Sequence, residues 1–269
     1  MDAYIFKTGR HLTPWGDPVA KACVLNEPLE HSLPAALGAA GAQRVWTDVA
    51  REEFQPEPVE AVLATDDLWI TPELAEAFVQ QARELGKPAI LALTTGLFTD
   101  FSAAVQRLGS AQHDGRDVLL YPLVWIPGGT RWKYPDDLTE AEGLAPVCVD
   151  LAVRPIDMPV HRIFSEDRKF SLPLTHLACV RVTHWMHVLR ANQIALLAWG
   201  SRLYTVTPMR LVWAALRAMS INHHKVMQKL VTKGRGCEIH PSAVVEACTL
   251  GDNVKIGANA VVRFSHLGD

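Results

Sequence analysis

The end of the chain repeats itself. Ile239–Asp252 aligns without a gap on Ile256–Asp269, an offset of 17 residues with seven of fourteen positions identical. Val244, Leu250, Ile256 and Val262 recur every six residues, and Gly251 and Gly257 follow two of them. A unit this short cannot bury its apolar face alone, so it must stack on its neighbours as a solenoid. Such arrays need about three or more repeats and a cap. Two copies therefore imply further rungs in a longer protein, or another chain over the open end.

The spacing resembles the hexapeptide repeat of left-handed parallel β-helix acyltransferases. There, three hexads make a triangular coil of about 18 residues with aliphatic side chains stacked inside. On that resemblance, an offset of 17 is one coil with a corner shortened by a residue. The resemblance also implies a homotrimer and acyl transfer from acyl-CoA or an acyl carrier protein. It implies a histidine general base as well, a task that a pKa near neutrality suits. His240, in the Ile-His-Pro entry, and His266, where the first copy has Thr249, are the candidates.

Residues 1 to about 155 alternate strand-like and helix-like segments. Val45–Val49, Val62–Thr65, Ala89–Leu93, Val118–Tyr121 and Val147–Val153 are short, aliphatic and bounded by turn formers. The spacing predicts a helix over Pro72–Leu85, with Thr71 as N-cap and Gly86 as stop. A second helix ends at Gly41, and a third spans about 101–108 after Asp100. This alternation predicts a doubly wound sheet.

Two stretches resemble the sugar-nucleotide transferases, which join sugar phosphates to nucleoside triphosphates. Glu27-Pro-Leu-Glu-His-Ser-Leu matches the family's helix entry, and Ala64-Thr-Asp-Asp-Leu matches the strand end whose aspartate holds magnesium. The resemblance makes Asp67 and Asp66 the candidate metal ligands. Two departures stand beside it. The loop after the first strand, Lys7–Pro14, has one glycine where backbone amides should approach phosphates. Glu27 replaces the expected lysine, and an acid there repels a triphosphate. The expected outcome is a domain without nucleotidyl transfer. Gly128-Gly-Thr-Arg-Trp-Lys-Tyr, with Arg131 and Lys133, is either a phosphosugar-binding loop or an exposed hairpin turn.

Net charge is −3, which excludes an overall nucleic-acid-type basic balance. The sum hides an asymmetry. Residues 1–167 carry 13 basic and 25 acidic side chains, whereas residues 168–237 carry eleven basic and none acidic. This segment reads as helices over 174–204, 208–220 and 222–232, broken at Pro208. Trp185 and Trp199 share a helical face. His184 with His187, and the pair His223-His224, have no carboxylate nearby in sequence to support a metal site. The basic helices pack on the acidic N-terminal part, or face an anionic membrane surface through Trp185, Trp199 and Leu203. Nucleic acid is the weakest partner, because no recognised module occurs.

Five cysteines, odd in number and without Cys-x-x-Cys spacing, suit free thiols in a cytoplasmic setting. The N-terminus is not a signal peptide. The expected architecture is α/β: a doubly wound nucleotidyltransferase-like domain over 1–157, a basic helical connector over 158–235, and the start of a left-handed parallel β-helix over 236–269. The expected function is that of a transferase-like protein of sugar-nucleotide or acyl-sugar metabolism, cytoplasmic or peripheral to a membrane. Magnesium or an acyl donor enters only with enzymatic activity. The alternative is a non-catalytic scaffold that uses both parts for assembly.

Overall fold

Four of the five short aliphatic runs become strands, and the fifth, expected over Val147–Val153, is strand only as far as Cys148. A computed structural model describes residues 1–50, 59–103, 106, 108–130, 137–140, 143–163, 165–220 and 222–269. They divide into two units, 1–194 and 195–269.

In the first unit β1 (Asp2–Phe6) leads to a small hairpin, β2 (Cys23–Val24) and β3 (Glu27–Pro28), and then to α1 (Leu29–Ala39). β4 (Arg44–Val49), β5 (Ala61–Thr65) and β6 (Leu68–Ile70) precede α2 (Pro72–Leu85). Pro72 opens α2, Gly86 in the left-handed region (φ +67°) closes it, and Leu74, Phe78, Val79 and Ala82 are buried. β7 (Ala89–Thr94), α3 (Leu97–Ser102), β8 (Gly109–His113), β9 (Arg116–Ile126) and β10 (Ala145–Cys148) follow.

Seven strands form one sheet in the order β10-β7-β9-β5-β1-β4, with β8 beside β9. β1 runs parallel to β4 and β5, and β10 parallel to β7. The doubly wound expectation needs one correction: β9 runs antiparallel to both β5 and β7. Asp114-Gly115, both at positive φ, make the tight turn between β8 and β9 and reverse the chain. β9 then inserts an almost wholly buried apolar run into the middle of the sheet.

β1 has β4 on one side and β5 on the other. The chain visits β4 first and then crosses back to β5. The carboxyl ends of β1 and β5 therefore flank the point where connections diverge, which is where open α/β sheets bind ligands.

Three helix expectations are corrected, the last of them in the second unit. The third helix is α3, which starts at Leu97 and ends at Ser102; its N-cap is Gly96, whose N–H donates to Thr99 Oγ1 at 2.8 Å. The helix expected over 174–204 begins only at Trp185, as α4 (Trp185–Thr205). The preceding residues build β11 (Arg154–Pro159) with β12 (Lys169–Leu174), and β13 (Cys179–Arg181). β13 pairs antiparallel with β6, and Ala178–Val182 is buried throughout. A short apolar run buried on both faces is satisfied as a strand.

The second unit includes α5 (Pro208–Ala218) and α6 (His223–Gln228), the latter capped by Asn222 Oδ1 accepting the His224 and Lys225 N–H groups. The helix expected over 222–232 stops at Gln228, and β14 (Thr232–Lys233) begins the repeat. β15 (Glu238–Ile239), β16 (Val244–Glu246), β17 (Thr249–Leu250), β18 (Lys255–Ile256), β19 (Val261–Arg263) and β20 (His266–Leu267) complete it. Every pairing is parallel at an offset of 17: β14-β17-β20, β15-β18 and β16-β19. The core holds Val245, Leu250 and Ile256, with Ile239, Val262 and Leu267 packed against it. Steps of six, five, six, six and five separate these residues, so the missing residue of each 17 falls between β16 and β17. Val245, not Val244, is thus the core residue on that face.

Candidate functional site

Asp66 and Asp67 leave the carboxyl end of β5 opposite the loop that leaves β1, at the crevice just described. The Asp66 carboxylate accepts the Thr8 N–H at 3.0 Å and the Thr8 hydroxyl at 2.6 Å. Burial raises the Asp66 pKa, against the pull of the two Thr8 bonds, and the neighbouring Asp67 adds to the rise.

Asp67 is fully buried, and its oxygens are occupied. Arg10 Nη1 reaches Oδ2 at 2.5 Å, Arg181 Nε reaches the same oxygen at 3.0 Å, and the Thr65 hydroxyl donates to Oδ1. The two arginines also share Asp137 Oδ2, from Arg181 Nη2 at 2.9 Å and Arg10 Nη2 at 3.4 Å. Arg10, Asp67, Arg181 and Asp137 thus form a closed ring of alternating charge. Burial would lower the Arg181 pKa, but Asp67 and Asp137 hold it above its ordinary value.

Burial would also raise the Asp137 pKa. The Thr139 N–H and hydroxyl and the Arg181 guanidinium outweigh it and bring the value down to about 2. This depressed group contributes stability that is present above its ordinary 3.8 and is lost as pH falls toward 2. Asp66, shifted the other way, acts only above 3.8. Asp137→Asn is therefore expected to flatten the acid limb of the stability curve below pH 3.8 and leave the limb above it unchanged. Urea midpoints at a series of acid pH values would show it. A limb below 3.8 as steep as in the parent would contradict the assignment.

Arg10, Asp137 and Arg181 of the ring form one wall of a cavity of about 710 Å³, which Thr13, Gln106, Thr139, Glu140, His184 and His187 also line. His187 is buried in the first turn of α4, where its Nδ1 accepts the Thr183 N–H at 3.1 Å and so leaves the proton on Nε2. His184 and His187 meet edge to face at 6.1 Å. Among the described residues, no group of three or more His, Cys, Asp or Glu side chains is placed to hold a metal ion.

The structure thus brings Asp66 and Asp67 to one crevice, with Asp67 held by arginines. Arg131 and Lys133 lie outside the described residues. His240 and His266 belong to different faces of the repeat. His240 Nδ1 meets Ser242 Oγ at 2.8 Å and Ser242 N–H at 3.2 Å, a local turn. His266 lies in β20, with its pKa lowered by burial. The carboxylate missing near His223-His224 in sequence arrives from the repeat. Buried Glu246 lies 3.2 Å from His224 Nδ1 and 2.9 Å from Arg263 Nε.

Sequence reasoning missed Arg10, Asp137 and Arg181. Arg181 carried a readable signal: it stands between Val180 and Val182 in an apolar run, which marks a buried arginine in need of acids.

No family model matches the chain, and no curated protein matches it. Among solved structures, HddC from Yersinia pseudotuberculosis, complexed with GMP-PN, is 10% identical, with 72% of this chain and 99% of that chain covered and a TM-score of 0.42. A hypothetical transferase from Thermus thermophilus is 13% identical, with 47% and 66% covered and a TM-score of 0.33. A CMP:2-keto-3-deoxy-manno-octonic acid synthetase complexed with CTP is 14% identical, with 47% and 74% covered and a TM-score of 0.32. At these scores the likenesses carry no functional weight.

Proposed function

We propose that the first unit is a sugar-nucleotide-transferase-like domain that binds the sugar part of its ligand and does not transfer a nucleotidyl group. The capture of Asp67 by Arg10 and Arg181 supports this reading. A magnesium ion needs carboxylate oxygens turned toward it. Here the buried oxygen that would serve is shared by two guanidinium groups. Among the described residues of the cavity wall, both arginine charges are balanced by carboxylates, and Glu140 adds a further negative charge. A magnesium triphosphate complex, itself anionic, gains nothing there.

A polyhydroxylated ring suits the cavity better. Each sugar hydroxyl both donates and accepts, and the wall offers acceptors on Asp137 and Glu140 and donors on Arg10 and Arg181. In this reading any group transfer falls to the second unit, whose 17-residue parallel rungs and inward aliphatic residues support a left-handed hexapeptide β-helix.

Saturation-transfer NMR against hexoses, N-acetylhexosamines and their 1-phosphates tests the sugar reading. Transfer to the ring protons of at least one of them, lost in Arg10→Ala, is expected. Transfer to nucleotides with magnesium, and to no sugar, would contradict it.

A further inference from the structure

Helix α5 is apolar on two opposite sides. Leu211, Ala214, Ala215 and Ala218 face the core that Leu203, Val226, Met227 and Leu230 build. On the other side Met209, Trp213 and Leu216 are each 63% exposed and Val212 is 49% exposed. At about 100° per residue these four occupy an arc of about 100°. Met219, at the end of the stripe, is 93% exposed. A contiguous apolar stripe in water marks a surface that meets something.

The edge of the stripe is basic. Arg210 and Arg217 stand between Trp213 and the buried face, and with Lys229 and Lys233 they line an open hollow of about 510 Å³ that Trp213 also borders. No acid occurs from 168 to 237, and none of these four cations makes an ion pair among the described residues. Leu203, Arg181 and Arg190 are engaged elsewhere. Leu203 is buried, Arg181 is in the ring with Asp67, and Arg190 lies over the Phe101 ring at 4.5 Å.

We propose that α5 docks the protein on an anionic membrane surface, with the Met209–Leu216 stripe at headgroup depth and a lipid phosphate in the hollow. An exposed tryptophan beside arginines is the chemistry of the headgroup layer. Two guanidinium groups can hold a phosphate through paired N–H bonds. A second copy of this face would bring like charges together, so self-association does not explain the basic edge. Nucleic acid would leave the apolar stripe without a role. No described helix is long and apolar enough to cross a membrane.

Sedimentation of the full chain with vesicles tests this. The vesicles are phosphatidylcholine alone, or about three parts phosphatidylcholine to one of phosphatidylglycerol. Pelleting with the anionic vesicles only is expected, with loss at about 1 M salt, where screening is strong. Arg210→Glu with Arg217→Glu should weaken it at least about tenfold, and Trp213→Ser with Leu216→Ser should abolish it. All four side chains are exposed, so unchanged melting by circular dichroism confirms that the variants fold. Amide exchange over 208–219 should slow on the anionic vesicles. Three outcomes would overturn the proposal. They are no pelleting at low salt, displacement by inorganic phosphate with no effect of the serine variant, or a dimer that the serine variant dissolves without vesicle binding.

Discussion

Asp67→Ala destabilises the α/β unit by about 3 kcal/mol or more. Asp67 is fully buried and Arg181 is 3% exposed. Removing one member of a buried charge cluster leaves its partners desolvated and underpaired, the costly case for a buried ion pair. Asp137 is then the only described ring carboxylate for both Arg10 and Arg181. A metal-holding aspartate behaves in the opposite way. In the metal-free protein its carboxylate repels its acidic neighbour, so its removal costs nothing or stabilises. Urea denaturation, with amide exchange in β5 to place the change in this unit, separates the two. The double variant Asp67→Ala with Arg181→Ala should cost less than the sum of the singles, because the two residues act as a unit. An Asp67→Ala protein as stable as the parent would show that the ring carries no weight.

Gly234→Ala breaks the repeat. A Cβ at Gly234 would lie 2.3 Å from the Gly251 carbonyl oxygen and 2.5 Å from its carbonyl carbon. Those atoms belong to the next rung, 17 residues on, and are backbone, so no rotamer change relieves the contact. The same corner is tied from below, where Asp252 Oδ1 accepts the Arg235 N–H at 2.8 Å. Moving one rung aside breaks the β14-β17 ladder. The expected loss is about 3 kcal/mol, the upper part of the range for overpacking, read as faster exchange of the amides of residues 232 and 234, which donate to the Cys248 and Leu250 carbonyls. Gly257→Ala is the control, because a Cβ there meets nothing within 4 Å. Equal exchange in the two variants would mean that the rungs are not stacked as described.

The period and the residue types that fill it made the repeat legible. The five-residue face was not, because Val244 and Val245 are equally apolar and only the shortened corner decides which turns inward. The α/β unit was legible strand by strand, since each strand has its own turn formers. The antiparallel placement of β9 was less so, because Asp114-Gly115 sets a reversal but not the neighbours that β9 then finds. At the site, the resemblance of Ala64-Thr-Asp-Asp-Leu to a transferase strand end singled out Asp66 and Asp67. The arginines that close on Asp67 come from positions 57 residues before it and 114 residues after it. The apolar neighbours of Arg181 marked it as buried, but only the pairing of β13 with β6 shows which acids it meets.

Calorimetric titration of the full chain with ATP, CTP, GTP and UTP, each with magnesium, tests the central reading most directly. With Asp67 held by Arg10 and Arg181, no magnesium-dependent binding in the micromolar range is expected for any of the four. Micromolar binding that requires magnesium and disappears in Asp67→Asn would show that the arginines yield the carboxylate to the metal, and would contradict the account.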